Sequence, residues 1–143
     1  MPRAGVVSTE FSTNRARLLA QAACPTNKAC LARITTWMAK FLADIFPELS
    51  SELARLLFEQ GESELAGQVS ALSVVDRCRC GDDFCGMFYV LPKPKGAYGP
   101  HHRNVALAPE HGWLILDVVS DRIAAVEVLY RDAVRLRLMI EFP

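Results

Sequence analysis

The run LSVVDRCRCGDDFCGMFYVL, Leu72 to Leu91, decides how the rest of the chain is read. Val, Leu, Phe and Tyr dominate both arms, and Gly81-Asp82-Asp83 interrupts them, which is the pattern of a β-hairpin. A four-residue connection from Gly81 to Phe84 sets Cys80 opposite Cys85, Cys78 opposite Met87, Asp76 opposite Tyr89 and Val74 opposite Leu91. Side chains alternate along a strand. One face therefore carries Leu72, Val74, Asp76, Cys78 and Cys80 beside Cys85, Met87, Tyr89 and Leu91. That face is mostly apolar and is the expected core side, with Asp76 and Tyr89 forming a buried hydrogen-bonded pair. The opposite face carries Arg77 and Arg79 with Phe88 and Val90. A slip of one residue would turn the arginines inward, which favours this register.

The thiols of the hairpin form the pattern C-x-C-G-x-x-x-C. The preferred reading needs no cofactor: three reduced cysteines packed as small hydrophobes on the apolar face. Zinc is the alternative, held by Cys78, Cys80 and Cys85 with His101, His102 or His111 as fourth ligand. A bridge between Cys80 and Cys85 is the third reading. The chain has five cysteines, an odd count, and opens MPRAGVVSTEF with no apolar signal region. Both features point to a cytoplasmic protein with reduced thiols.

Downstream lies a long connection, PKPKGAYGPHHRNVALAPEHG, in which four prolines and three glycines exclude regular structure over most of its length. Val105 to Leu107 is the one short edge-strand candidate within it. Connections this long are often functional. Lys93, Lys95, Tyr98, His101, His102, Arg103 and Asn104 are the expected binding residues, suited to an anionic ligand or an acidic protein patch. Trp113 to Val119 and Arg122 to Tyr130 then form a second hairpin around Ser120-Asp121. Leu114, Leu116 and Val118 are expected beside Ile123 and Ala125, and Trp113, Ile115 and Val119 beside Val126, Val128 and Tyr130. Both faces are apolar, as in a sheet covered on both sides. The tail DAVRLRLMIEF alternates with period two and reads as a further strand.

Upstream, Met1 to Thr13 reads as a mobile tail and Asn14 to Cys24 as a short helix. Lys28 to Phe46 has the clearest helical stripe, through Cys30, Ile34, Trp37, Met38, Phe41, Leu42 and Ile45. A core helix packed through Trp37, Phe41 and Ile45 is preferred over an interfacial one. PELSSELARLLFEQG is the next helix, with Ser50 or Ser51 as N-cap, Leu53, Leu56, Leu57 and Phe58 as buried stripe, and Gly61 past its end. Leu65 and Val69 anchor a further turn or two.

The run VVDRCRCGDDFCGMFYV, then GAYGPHHRNVALAPEHGWLILDVV and RIAAVEVLYR, resembles a group of small bacterial proteins. They share a C-x-C-G-x-x-x-C hairpin followed by a G-A-Y-G-P…H-R-N loop and a strand pair. The likeness covers about Glu48 to Arg131. It implies a bacterial origin and one compact domain, and it brings no catalytic residue with it.

At 143 residues and 51% hydrophobic, the chain is expected to form one α+β domain over residues 14–143. Helices fill 14–69, and a four- to five-stranded, mainly antiparallel sheet fills 71–142. Basic and acidic residues balance at 16 each, which gives no reason to expect nucleic acid. Through Ile45 there are six bases against two acids, a net +4, and ten against fourteen beyond it, a net −4. Phosphate-binding, zinc-protease and serine-nucleophile motifs are absent from the sequence. Asp82-Asp83 reads as turn chemistry. The expected role is therefore a non-enzymatic binding module. A zinc-stabilised module is the first alternative, and a small enzyme with Cys85 as nucleophile and His101 or His102 as base is the second.

Overall fold

The computed structural model describes residues 39–143. The expected tail, the helix at 14–24 and most of the helix expected over 28–46 lie outside the described residues. Where the last of these enters view, Lys40–Phe41 is a two-residue strand, β1, and only Leu42–Ile45 is helical, α1. Burial falls on Leu42, fully enclosed, while Phe41 is 51% exposed and is not the core anchor the periodicity suggested.

Helix α2, Pro47–Glu59, begins with its proline at the first position, where the missing N–H costs nothing. It therefore starts before either serine: Ser50 is buried in its first turns, and the Ser51 hydroxyl donates to the Pro47 carbonyl. Leu49, Leu53, Leu56 and Leu57 face the core, and Phe58 stands outside it. Gly61, with φ +87°, ends the helix as expected of that position. Helix α3, Ser63–Gln68, and a 3₁₀ turn at Val69–Ala71 follow, anchored by buried Leu65 and Val69.

The fold is α+β, and its five-stranded sheet is wholly antiparallel. Its strands are β3 (Asp76–Arg77), β4 (Phe88–Tyr89), β5 (His102–Leu107), β6 (Trp113–Val119) and β7 (Arg122–Leu129). They lie in the order β3-β4-β7-β6-β5, so β5 is an edge. A separate two-stranded ribbon joins β1 to β2, Ser73–Val74. One core unites the leucines of α1 to α3 with Phe88, Val105, Leu114, Leu116, Ile123, Val126 and Val128 of one sheet face.

The central hairpin has the expected register, with Asp76 opposite Tyr89 and Arg77 opposite Phe88, but its ladder is two residues long. Two expectations fail there. Val74 pairs with Lys40 of β1 rather than with Leu91, because the chain changes partner at Val75. The core face is that of Phe88 and Val90, not that of the cysteines. The second arm, Met87 to Leu91, is apolar on both sides, so alternation there could not choose between them. Asp76 also turns out half-buried, its carboxylate accepting from Arg79 at 2.6 Å and from the Arg77 amide at 2.8 Å.

The second hairpin forms where expected. Ser120 and Asp121 take φ of 48° and 60°, the doubly left-handed turn that matches strand twist. A bulge beside Asp117 and Val118 shifts the register by one beyond the turn. Leu114 and Leu116 therefore face Val128 and Val126, while Ile115 and Asp117 face Glu127 and Ala125. The second sheet face is thus more polar than expected. No helix in the described core packs on it. The Pro-rich connection crosses it instead: Lys93 Nζ lies 5.8 Å from the Tyr89 ring centre, and the Tyr98 ring 4.8 Å from that of His102.

The tail is a helix, α4 (Asp132–Glu141), and not a strand. Leu, Arg, Met and Ala are good helix formers, and the residues that touch the core, Val134, Leu138 and Phe142, are four apart. Replacing Asp121 by glycine should stabilise the protein by about 0.5–1 kcal/mol, since a non-glycine residue in the left-handed region costs ~1–2 kcal/mol. Denaturant midpoints of the two proteins check this.

Candidate functional site

The cysteines sit where the chain beyond β3 loops round to β4. This loop is shaped by two glycines. Gly81, with φ +86°, reverses the chain just after Cys80 in a conformation L residues rarely adopt. Gly86 follows Cys85, and a Cβ there would come within 2.9 Å of the Val128 carbonyl oxygen. Its bare backbone lets the loop close on β7. The Gly86 amide donates to Val128 at 2.8 Å, the Tyr130 amide donates to the Phe84 carbonyl at 2.9 Å, and Cys85 bridges to Leu129. On the other arm the Cys78 amide donates to Met87 at 2.9 Å.

The consequence is convergence. The sulfurs of Cys78, Cys80 and Cys85 all lie within 4.8 Å of one another, as free thiols. Cys80 is exposed and the other two are half-buried. The expectation of thiols packed into the core is therefore corrected: their face is not the core face, and they point at each other. A tetrahedral zinc site has Zn–S near 2.3 Å and hence S···S near about 3.8 Å, so contraction by at most roughly 1 Å would seat an ion. The three thiols can hold a metal ion. Among the described residues no histidine or carboxylate joins them as a ligand, so His101, offered as fourth ligand by the sequence, is not brought to the cluster. A pocket of about 110 Å³ opens beside the triad, walled by Arg77, Met87 and, from α4, Arg135, Leu138 and Met139. The Nε of Arg135 is buried without a hydrogen-bond partner.

In the metal-free protein, burial and the neighbouring thiols of Cys80 and Cys78 push Cys85 up to about 12 from an ordinary 9.0. A thiol so raised is a poor nucleophile at neutral pH. It also sets a pH window. Between about pH 9 and 12 the unfolded chain has lost this proton and the folded chain keeps it, so stability falls as pH rises. Metal-free protein should hold its melting temperature up to pH 8 or so and lose it above about 9, less steeply in Cys85→Ser; thermal melts across that range test this.

The loop residues singled out in the sequence divide into two groups. His102, Arg103 and Asn104 belong to strand β5 rather than to the loop. Arg103 is spent on Glu62, with two bonds of 2.7 and 2.9 Å. His102 Nε2 lies 2.6 Å from the buried Asp117 Oδ1, and Asn104 Nδ2 donates to the same oxygen at 2.8 Å. A carboxylate only accepts, so His102 carries its proton on Nε2 and is held by Asp117, not by a cysteine. Lys93 rests over Tyr89, while Lys95 and His101 stay exposed and enter no ion pair among the described residues. Sequence reasoning missed Asp117 and Arg135. Asp117 was visible as a lone carboxylate inside the apolar run LILDVV. Arg135 was hidden by the strand reading of the tail. Asp82 behaves as a turn residue, its carbonyl accepting from Cys85 at 3.3 Å.

No family model matches this chain, and no curated protein or solved structure shows significant similarity to it. Among the described residues, no helix is long and apolar enough to cross a membrane.

Proposed function

We propose that the chain is a small, non-enzymatic binding module stabilised by zinc, with the thiolates of Cys78, Cys80 and Cys85 as its protein ligands. The observation that carries this reading is the convergence of three sulfurs within 4.8 Å on a loop whose backbone is fixed independently by Gly81 and Gly86. Thiolate donors suit zinc, a borderline-soft ion that takes tetrahedral sulfur sites. The surroundings suit the charge: three thiolates around a divalent ion leave one negative charge, and two bases, Arg77 and Arg135, stand in the wall of the same pocket against one acid, Asp82. Arg135, whose buried Nε makes no hydrogen bond and is only 3.9 Å from Asp132 Oδ1, brings its charge to the pocket that the thiolates line. Reduced thiols of this kind belong to the cytoplasm. The cysteine-enzyme alternative loses ground, because Cys85 is pushed toward its neutral form and His102 is taken up by Asp117. Partner contact falls to the loop over the open sheet face, where Lys95 and His101 stand exposed.

The test is metal analysis of full-length protein purified without chelator, with thiol titration alongside. About one zinc per chain is expected, with the triad protected from thiol reagents until the metal is removed. Metal-free protein whose three thiols react freely from the start sinks the proposal.

A further inference from the structure

Among the described residues three thiolates converge, one short of the four that close a tetrahedron. Closed structural zinc sites have four protein ligands, whereas sites with three keep a position for an outside molecule. Here the described residues supply only sulfurs, and the pocket beside them has the shape and lining of a place for something small. At ≈ 110 Å³ it is a small pocket, far below the size that takes a drug-sized ligand. Its walls away from the triad are Met87, Met139 and Leu138, two polarisable thioethers and a hydrocarbon. The polar contribution beyond the thiols is two guanidiniums, Arg77 and Arg135, and one acid, Asp82, on the loop side. Arg77 already donates to the Phe142 and Cys78 carbonyls, whereas the buried Nε of Arg135 makes no hydrogen bond, lying 3.9 Å from Asp132 Oδ1, and its Nη1 lies 3.9 Å from the Met139 sulfur.

Resting on the zinc reading, the geometry points to a small exogenous thiol as the fourth ligand of this centre. With an ion held by the triad, the thiol would give its proton to solvent and its sulfur would take the fourth position in place of a solvent molecule. No electron changes owner. A short carbon stem then lies against Met87, Leu138 and Met139, and the guanidinium of Arg135 offsets the added negative charge. A carboxylate of equal size is a harder donor and would lose its hydration against thioether and hydrocarbon walls for one guanidinium, so it does not compete.

The experiment uses the unaltered full chain, reduced with a phosphine and loaded with one cobalt(II) per chain, beside a Cys24→Ser, Cys30→Ser form; a thiol response seen only in the latter shows the fourth position already filled by one of those thiols and overturns the inference. Sulfur-to-cobalt charge-transfer absorption counts thiolates on the metal. Adding 2-mercaptoethanol should raise it by about one third, as three thiolates become four, while acetate and ethylene glycol leave it unchanged. Arg135→Lys should need roughly tenfold more thiol for the same rise, with cobalt uptake unaltered, a shift of the size expected for one supporting contact around a metal. Cobalt bound tightly with a spectrum indifferent to thiol overturns this inference alone. Failure to take up cobalt at all overturns the zinc reading and this one with it. A response to acetate equal to that of the thiol overturns the assignment of the ligand.

Discussion

On the zinc reading, Cys80→Ser protein should come off the column nearly free of zinc and melt on the order of 15 °C below loaded wild type. The residue chosen makes the measurement decisive. Cys80 is exposed, so as a bare thiol it buries little, and exchanging it for serine would change stability by no more than about 0.5 kcal/mol. As one of three ligands it carries far more. A metal that binds only the folded chain stabilises it by about 4 kcal/mol when free metal stands a thousandfold above its dissociation constant. For a domain of this size each kcal/mol moves the melting temperature by roughly 4 °C or more. Chelator should bring wild type down to the level of the variant and leave the variant where it is. Equal melting temperatures, insensitive to chelator, would show that the triad is packing and turn chemistry alone.

Phe88→Ala should destabilise the protein by about 3–5 kcal/mol in denaturant titrations, the cost of emptying a large core site. Phe88 is fully enclosed. It sits on β4, between β3 and β7, and its ring stacks on Phe46 at 6.4 Å, joining the helical layer to the sheet. Truncation therefore opens a cavity at the seam, where neither layer can collapse without losing the other. Trp113→Ala is the control: a larger side chain, but 61% exposed on β6, so its loss should cost well under 1 kcal/mol. A loss below about 1 kcal/mol for Phe88→Ala would mean that the layers meet elsewhere.

Phe88 also shows what could be read in the sequence and what could not. The hairpin register was legible because Gly81 marks the turn and alternation fixes the pairing on either side. The buried face was not, because Phe88 and Val90 on one side match Met87 and Leu91 on the other in hydrophobicity. The tail misled for a related reason: Val134, Leu136, Leu138, Ile140 and Phe142 fit period two, and a subset of the same residues fits a spacing of four. Only the core they meet distinguishes the patterns. The thiol motif was plain, but its convergence depends on Gly86 closing on Val128, far along the chain. The cationic loop was plain too, yet the partners that occupy it, Glu62 for Arg103 and Asp117 for His102, come from other elements.

The strand order carries a kinetic consequence. Strands β5, β6 and β7 form a meander of near neighbours, closed by short loop lengths, which can condense early. Strand β4 must then find β7 across nearly forty residues, Phe88 against Val126. The cysteine loop joins β3 to β4, and if it takes its final shape only when Gly86 docks on Val128, its sulfurs meet late. An ion at the triad would thus close behind the folding barrier rather than build it. It would act as a latch, lengthening the lifetime of the native state while leaving the speed of its formation almost untouched.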